Sequence, residues 1–242
     1  QGRAFLAPDL AMARLQEAAR ELGLERAGVE SWQLNEGQLA AGVAILSGTD
    51  RFLNIQGVAG AGKSTLLGAL GKVLGAEGVK LIGLAFQNKM VADLRGGASG
   101  TMSVEQMKEA GIEAWTIAGF INKHGSAAAQ GSGERFAASK AALSNTVIIT
   151  DESSMVSSRD MLRLTAIAEQ LDVAKAPFMG DRQQLSAIEQ GKMFAVSQAA
   201  GQATVRMDEN IRQRNSPLLL AVAGLSNEGH ASLALDLLAA HG

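Results

Sequence analysis

The feature that most constrains this chain is the octapeptide Gly57-Val58-Ala59-Gly60-Ala61-Gly62-Lys63-Ser64. It follows the short run Phe52-Leu53-Asn54-Ile55-Gln56 and precedes a leucine- and alanine-bearing stretch, so the pattern predicts a strand, a tight loop and a helix over about 63–76. Glycines let the backbone curl until successive N–H groups face one point, and the start of a helix adds partial positive charge there. Such a loop is built to hold phosphate oxygens. Gly57, Ala59, Gly60, Ala61, Gly62, Lys63, Ser64 and Thr65 are therefore the expected nucleotide-binding residues. Lys63 is expected to reach the β- and γ-phosphates and Ser64 to ligate Mg²⁺. The competing reading is a plain turn in a chain with 28 glycines, but it leaves the strand, lysine and helix around the loop unexplained.

Strands and helices alternate around that loop. Residues 9–27 read as an amphipathic helix, with Leu15, Ala18, Ala19 and Leu22 at i, i+3, i+4 and i+7, breaking near Gly28. Residues 35–47 read as a second helix with Leu39, Val43 and Leu46 on one face. Strands are expected at 52–56, 80–86, 146–150, 173–179 and 203–208, and further helices at about 88–95, 159–170, 191–199 and 216–227. Residues 96–103 are rich in Gly and Ser and lead through a short helical stretch and a turn to Trp115-Thr116. The segment 125–133 reads as a surface loop. This alternation implies an α/β fold, a mainly parallel β-sheet with helices on both faces. Residues 1–30 are expected to be an N-terminal helical segment or linker, and 31–242 the nucleotide-binding domain.

Ligands of such sheets sit at the carboxyl ends of the strands, where the Gly-rich loop, Asp151-Glu152 and Gly180-Asp181 all fall. An acid ending an apolar strand can hold Mg²⁺, usually through water, and the adjacent Glu152 is placed to polarise an attacking water. Two acids at a helix N-terminus would look the same. The pair argues for hydrolysis over phosphoryl transfer to an acceptor. In Met179-Gly180-Asp181-Arg182-Gln183-Gln184-Leu185, Gln184 can report on a γ-phosphate, although Gly-Asp alone is a common turn. Arg212 can stabilise charge developing in a transition state, or be a surface arginine. Gln38 stands just upstream of the first strand, where Asn35-x-x-Gln38 also fits a helix capping box.

Composition narrows the chemistry. Hydrophobic residues make up 47% and charged residues 19%, as in an ordinary globular α/β protein, and no apolar run approaches the roughly 18 residues of a membrane span. With no cysteine and no tyrosine, thiolate zinc sites, disulfides and both nucleophile types are excluded. Only His124, His230 and His241 are present, which argues against a multi-histidine metal site. The net charge of −2 gives no support for a nucleic-acid partner, but a local groove is enough to grip one strand.

Taken in order, Gln38, Gly62-Lys63-Ser64, Asp151-Glu152-Ser153-Ser154-Met155, Gly180-Asp181-x-x-Gln184-Leu185 and Arg212-Gln213 resemble the first RecA-like domain of a superfamily 1 DNA helicase of the RecD-like, 5′→3′ class. Asp-Glu-Ser-Ser-Met, the segment Gly111 to Phe120 and Leu225-Ser226-Asn227-Glu228-Gly229 are most similar to the helicase part of TraI/TrwC-type conjugative relaxases. The resemblance covers about residues 31–230. It implies a RecA-like P-loop NTPase that hydrolyses ATP with Mg²⁺ while acting on single-stranded DNA in the cytoplasm. Gln38 would contact adenine, Asp151 and Ser64 would hold Mg²⁺, Glu152 would be the catalytic base, and Lys63, Gln184 and Arg212 would act at the phosphates. Phe86-Gln87-Asn88-Lys89 stands where relatives carry a first DNA-contacting motif reading like Pro-Thr-x-x-Ala, a departure that bears on Gln87, Asn88 and Lys89 as DNA contacts. Trp115 and Thr116 match a second such position, and Trp115 could stack on a base or belong to the core.

A working helicase of this class needs a second RecA-like domain with an arginine finger, and a relaxase needs its nicking tyrosine and metal-binding histidines. Neither is in these residues, so a second RecA-like domain of the same parent chain and other conjugation proteins are expected partners. Alone, the chain is expected to bind nucleotide with weak or no ATPase and no unwinding. The alternatives are a vestigial helicase-fold module that binds single-stranded DNA or protein without catalysis, and another P-loop enzyme such as a small kinase.

Overall fold

Val147-Ile148-Ile149 has no polar side to offer water, so it suits only a strand covered on both faces. In the computed structural model, which describes residues 1–28, 31–57, 62–85, 112–181 and 192–207, this segment is β4 (Thr146–Thr150) and all five of its residues are buried. Around it lie β1 (Asn54–Gly57), β2 (Lys80–Ala85), β3 (Ile112–Thr116), β5 (Phe178–Gly180) and β6 (Thr204–Met207). Among the described residues they form one sheet in the order β3-β2-β4-β5-β1-β6, every pairing parallel. β5 thus separates the strand that ends in the Gly-rich loop from the strand that ends in Asp151-Glu152.

The pleat sorts side chains between two cores. Leu53, Ile55, Leu81, Val147, Ile149 and Met179 join one cluster with helices α1 (Pro8–Ala27), α2 (Glu36–Ser47) and α3 (Lys63–Ala76). Ile82, Leu84, Ile148 and Phe178 face the other way, toward α4 (Ile117–Gln130), α6 (Ser158–Gln170) and α7 (Lys192–Ala199). α1 begins with Pro8 at its first turn, and Gly28, left-handed at φ 62°, closes it. Its predicted face is fully used: Leu15, Ala18, Ala19 and Leu22 are buried in the first cluster. Gly42 of α2 gives Leu15 its seat, because a Cβ there would lie 2.6 Å from Leu15 Cδ1.

Three expectations need correction. Residues 125–130 are not loop but the last turns of α4, since Ala127 and Ala128 are buried and alanine favours helix; only then does left-handed Gly131 end it. A short helix α5 (Glu134–Leu143) follows at once. Ile112–Thr116 is a strand rather than the end of a turn, an edge strand pairing in register from Leu81↔Ile112 to Ala85↔Thr116. The stretch 173–179 is strand only from Phe178, because Pro177 has no N–H to give the ladder; upstream, a single bridge joins Val147 and Lys175. On α2 the expected Leu39, Val43 and Leu46 do meet the first cluster, Leu46 buried and the other two partly buried against it, joined by the buried Gln38, Ala41, Gly42 and Ile45. The expected helices at 88–95 and 216–227 and the Gly/Ser-rich 96–103 lie outside the described residues.

Candidate nucleotide-binding site

Parallel strands bring their carboxyl ends to one edge, and three of the sequence motifs meet there. β1 ends in Gly57, and Gly62, left-handed at φ 70°, caps the start of α3. That glycine turns the chain so that Lys63 opens the helix with its side chain directed at β4's carboxyl end. Lys63 Nζ lies 3.5 Å from Glu152 Oε1 and 3.8 Å from Asp151 Oδ1. The lysine side chain is 13% exposed and the two carboxylate side chains 18% and 22%, so the three charges face each other in a half-dry cleft.

The acidic pair does not open an α-helix. Asp151 and Glu152 lead into a 3-10 turn at Ser153–Met155, and α6 starts later with its own cap, Ser157 Oγ accepting from Asp160 N–H at 3.1 Å. Glu152 itself is left-handed, φ 49°, a conformation that costs a non-glycine residue roughly 1 kcal/mol or more. Its N–H donates to Asp151 Oδ1 at 2.8 Å and its C=O accepts from Met155 N–H at 2.8 Å, which hold it there. Gly180 explains how the turn can sit against β5: a Cβ at 180 would lie 2.9 Å from Ser154 N and 3.2 Å from Ser153 N.

Burial pushes the Glu152 carboxyl above its ordinary range; Lys63 opposes that shift, while Asp151 and Asp181 reinforce it. A carboxylate made more basic in this way suits proton abstraction near neutral pH. Its Oε2 is buried with no hydrogen-bond partner among the described residues, so the carboxylate keeps an acceptor free.

Gln38 is fully buried, and its amide is engaged at both ends. Oε1 accepts from Asn35 N–H at 2.9 Å, completing the capping box in which Asn35 Oδ1 accepts from Gln38 N–H at 2.8 Å. Nε2 donates to Gly62 O at 2.9 Å, so Gln38 also ties α2 to the end of the Gly-rich loop. Thr65 N–H donates to the same Gly62 oxygen at 3.1 Å. Trp115 and Thr116 end β3 on the same edge of the sheet. The Trp115 indole donates to Glu113 Oε2 at 3.1 Å and carries Lys123 Nζ 4.4 Å from its ring centre, while Thr116 Oγ1 caps α4 by accepting from Gly119 N–H at 3.0 Å. Ala59, Gly60, Ala61, Gln87, Asn88, Lys89, Gln184 and Arg212 lie outside the described residues, as does the side chain of Ser64.

Sequence reasoning passed over a polar group beneath the site. Gln56 Nε2 donates to Asp181 Oδ1 at 3.1 Å, and Gln198 Nε2 donates to Gln56 Oε1 at 3.3 Å. Asn54 Nδ2 donates to Ser197 Oγ at 3.0 Å. The signal was available in Asn54 and Gln56, two carboxamides at alternate positions of a strand whose neighbours are apolar.

Compared with known proteins, the sequence matches the family described as AAA domain over residues 33–242. The chain belongs to that family. Its six-stranded parallel sheet with helices is that of a RecA-like P-loop α/β fold, as the motifs implied. It is 33% identical over 199 residues to the multifunctional conjugation protein TraI of Escherichia coli K12, covering 81% of this chain and 10% of that protein. It is also 27% identical over 230 residues to the probable conjugal transfer protein TraA of Sinorhizobium fredii, covering 95% of this chain and 18% of that one. The resemblance to the conjugative relaxase group therefore stands. The chain spans between 10% and 18% of the length of these relatives.

Proposed function

We propose that this AAA-family domain is the ATP-binding and ATP-hydrolysing motor domain of a DNA helicase that acts on single-stranded DNA, within a larger cytoplasmic relaxase-helicase of conjugation. The observation that carries this reading is the convergence of Lys63 on Asp151 and Glu152, at 3.8 and 3.5 Å, beside a helix start that follows the Gly-rich loop. Its relatives TraI and TraA, both conjugation proteins by name, support the setting.

In this reading the loop N–H groups and Lys63 receive the phosphates, and Lys63 exchanges its carboxylate partners for phosphate oxygens. Asp151 and the Ser64 hydroxyl would hold Mg²⁺, which the paired acids and the unpartnered Glu152 Oε2 fit. When bound, the ion neutralises phosphate charge. Glu152 orients and deprotonates the attacking water. Gln184 senses the γ-phosphate, Arg212 stabilises charge there, and Gln38 contributes near the adenine while fixing the loop through Gly62. Trp115 and Thr116, with Gln87, Asn88 and Lys89, are proposed to face the DNA strand, and a second RecA-like domain of the parent closes the site. The presence of both Lys63 and Glu152, 3.5 Å apart, disfavours a vestigial binding module.

The deciding measurement is ATP hydrolysis by the full-length protein with and without single-stranded DNA. Stimulation by DNA is expected, and Lys63→Ala should lower turnover by about 100-fold or more, the scale for loss of a charge-stabilising donor. Hydrolysis indifferent to DNA would sink the helicase reading.

A further inference from the structure

β1 breaks the rule for its place in the fold. A strand inside a parallel sheet covered on both faces is expected to be apolar throughout. Ile55 obeys, as does Leu53 just before the strand, but Asn54 and Gln56 put carboxamides on the other face, where β2, β4 and β5 place Ile82, Leu84, Ile148 and Phe178. Asn54 is fully buried and Gln56 partly so; amides drawn out of water are costly unless bonded, and the partners these two find are informative.

Gln56 is in register with Gly180 on β5 and immediately precedes Gly57. Its Nε2–H donates to the carboxylate of Asp181, which is 1% exposed, and its Oε1 accepts from Gln198 on α7. Asn54, two residues back, reaches Ser197 on the same helix. The amide therefore joins three pieces: the strand that ends in the phosphate loop, the first residue beyond β5, and α7.

We infer that Gln56 is a positioning residue for nucleotide hydrolysis, acting by holding Asp181, the first residue beyond β5, at a fixed register against the carboxyl end of β1. This rests on the proposed ATPase function. An amide suits the task because it satisfies the Asp181 carboxylate on one side and a donor on the other without adding charge to a site that already balances Lys63 against two acids. Gln56 acts through Asp181 and Gln198, so its removal should disturb turnover more than nucleotide affinity.

Three variants of the full-length protein test this, assayed for DNA-stimulated ATP hydrolysis and for ATP affinity, with thermal melts as a fold check. Gln56→Met keeps length and loses the hydrogen bonds to Asp181 and Gln198; kcat is expected to fall about tenfold or more, the scale of a small misplacement, with ATP affinity within about twofold. Gln56→Glu sets two carboxylates face to face at neutral pH, but once protonated its O–H can donate to Asp181 and its C=O can accept from Gln198. Its activity relative to wild type should therefore climb as pH falls from 8 to 6, a recovery that a simple packing role would not give. Lys63→Ala serves as the inactive reference. If wild type hydrolyses ATP while Gln56→Met keeps its kcat, or loses affinity as much as kcat, the inference fails and the ATPase reading survives. A Gln56→Glu ratio flat with pH also overturns the inference. A wild-type protein without ATP hydrolysis removes both.

Discussion

At Glu152 three demands meet on one side chain. Its backbone is left-handed, its carboxyl is pushed up by burial and by Asp151 and Asp181, and one carboxylate oxygen is buried without a partner among the described residues. None of these helps the protein fold. A carboxyl whose folded pKa lies above its unfolded value stabilises the fold only while protonated, and that contribution is lost as pH rises through the folded value. At neutral pH the ionised Glu152 is thus a net cost to the nucleotide-free protein, offset in part by Lys63. Glu152→Gln should accordingly do two opposite things. Turnover should fall by about 100-fold or more, as expected for a general base, while nucleotide binding persists. The melting temperature of the nucleotide-free protein near pH 7.5 should rise rather than fall. A variant that is inactive but melts lower would mean that the Lys63–Glu152 pair stabilises more than burial of the carboxylate costs.

Among the elements, the 3-10 turn after β4 and the end of β5 approach more closely than any side chain would allow. Gly180→Ala forces a Cβ against the backbone nitrogen of Ser154, an atom that cannot swing aside, so a loss of about 1–3 kcal/mol is expected. For a domain of this size that corresponds to roughly 2–4 °C in Tm per kcal/mol, readable by calorimetry. At α1 the expected loss has a different cause. Leu15→Ala would leave a cavity between α1 and Gly42 and cost about 2–5 kcal/mol, whereas Leu10→Ala, at a position 45% exposed, should fall within about 0.5 kcal/mol. The helix period of α1, the apolar run of β4 and the phosphate loop were legible because each is a local pattern with one physical solution. What sequence hid was non-local. The glycines at 125, 131 and 133 looked like one loop because nothing in the sequence shows Ala127 and Ala128 burying on a neighbouring helix. β3 was hidden because an edge strand needs only one partner, and Gln56 because its meaning lies in Asp181, 125 residues away.

Across the whole chain there is no tyrosine and no cysteine, so neither side chain adds a change of charge between pH 8 and 10.5. Within that window Lys175 stands apart. It is 1% exposed, its ammonium donates to Gly48 O and Ala44 O at the end of α2, and burial lowers its pKa from 10.5 to about 8, with Asp50 opposing the shift. Lys72 moves the other way: its exposed pairs with Glu21 and Glu25 outweigh its partial burial and raise its pKa, so its contribution is constant below 10.5 and is lost only as pH rises beyond. For Lys175 the folded value is the lower one. Between about pH 8 and 10.5 the unfolded chain holds a proton that the folded chain has released, so stability increases with pH across that interval. The neutral amine still has two hydrogens, enough to keep both carbonyl bonds, so nothing structural is lost when the charge goes. The gain is bounded at an order of 3 kcal/mol by the size of the shift. On the acid side His124 gives the same sign: burial, with Lys123, lowers its pKa, so stability is present above about 6.5 and lost as pH falls through the folded value. Urea titrations at closely spaced pH values should therefore find stability rising from pH 8 toward 10 in the wild-type protein. In Lys175→Met the absolute stability shifts because two carbonyls lose their donor, but the slope over pH 8–10 should flatten. A slope that survives the substitution would assign the effect to another group and leave Lys175 charged in the folded protein.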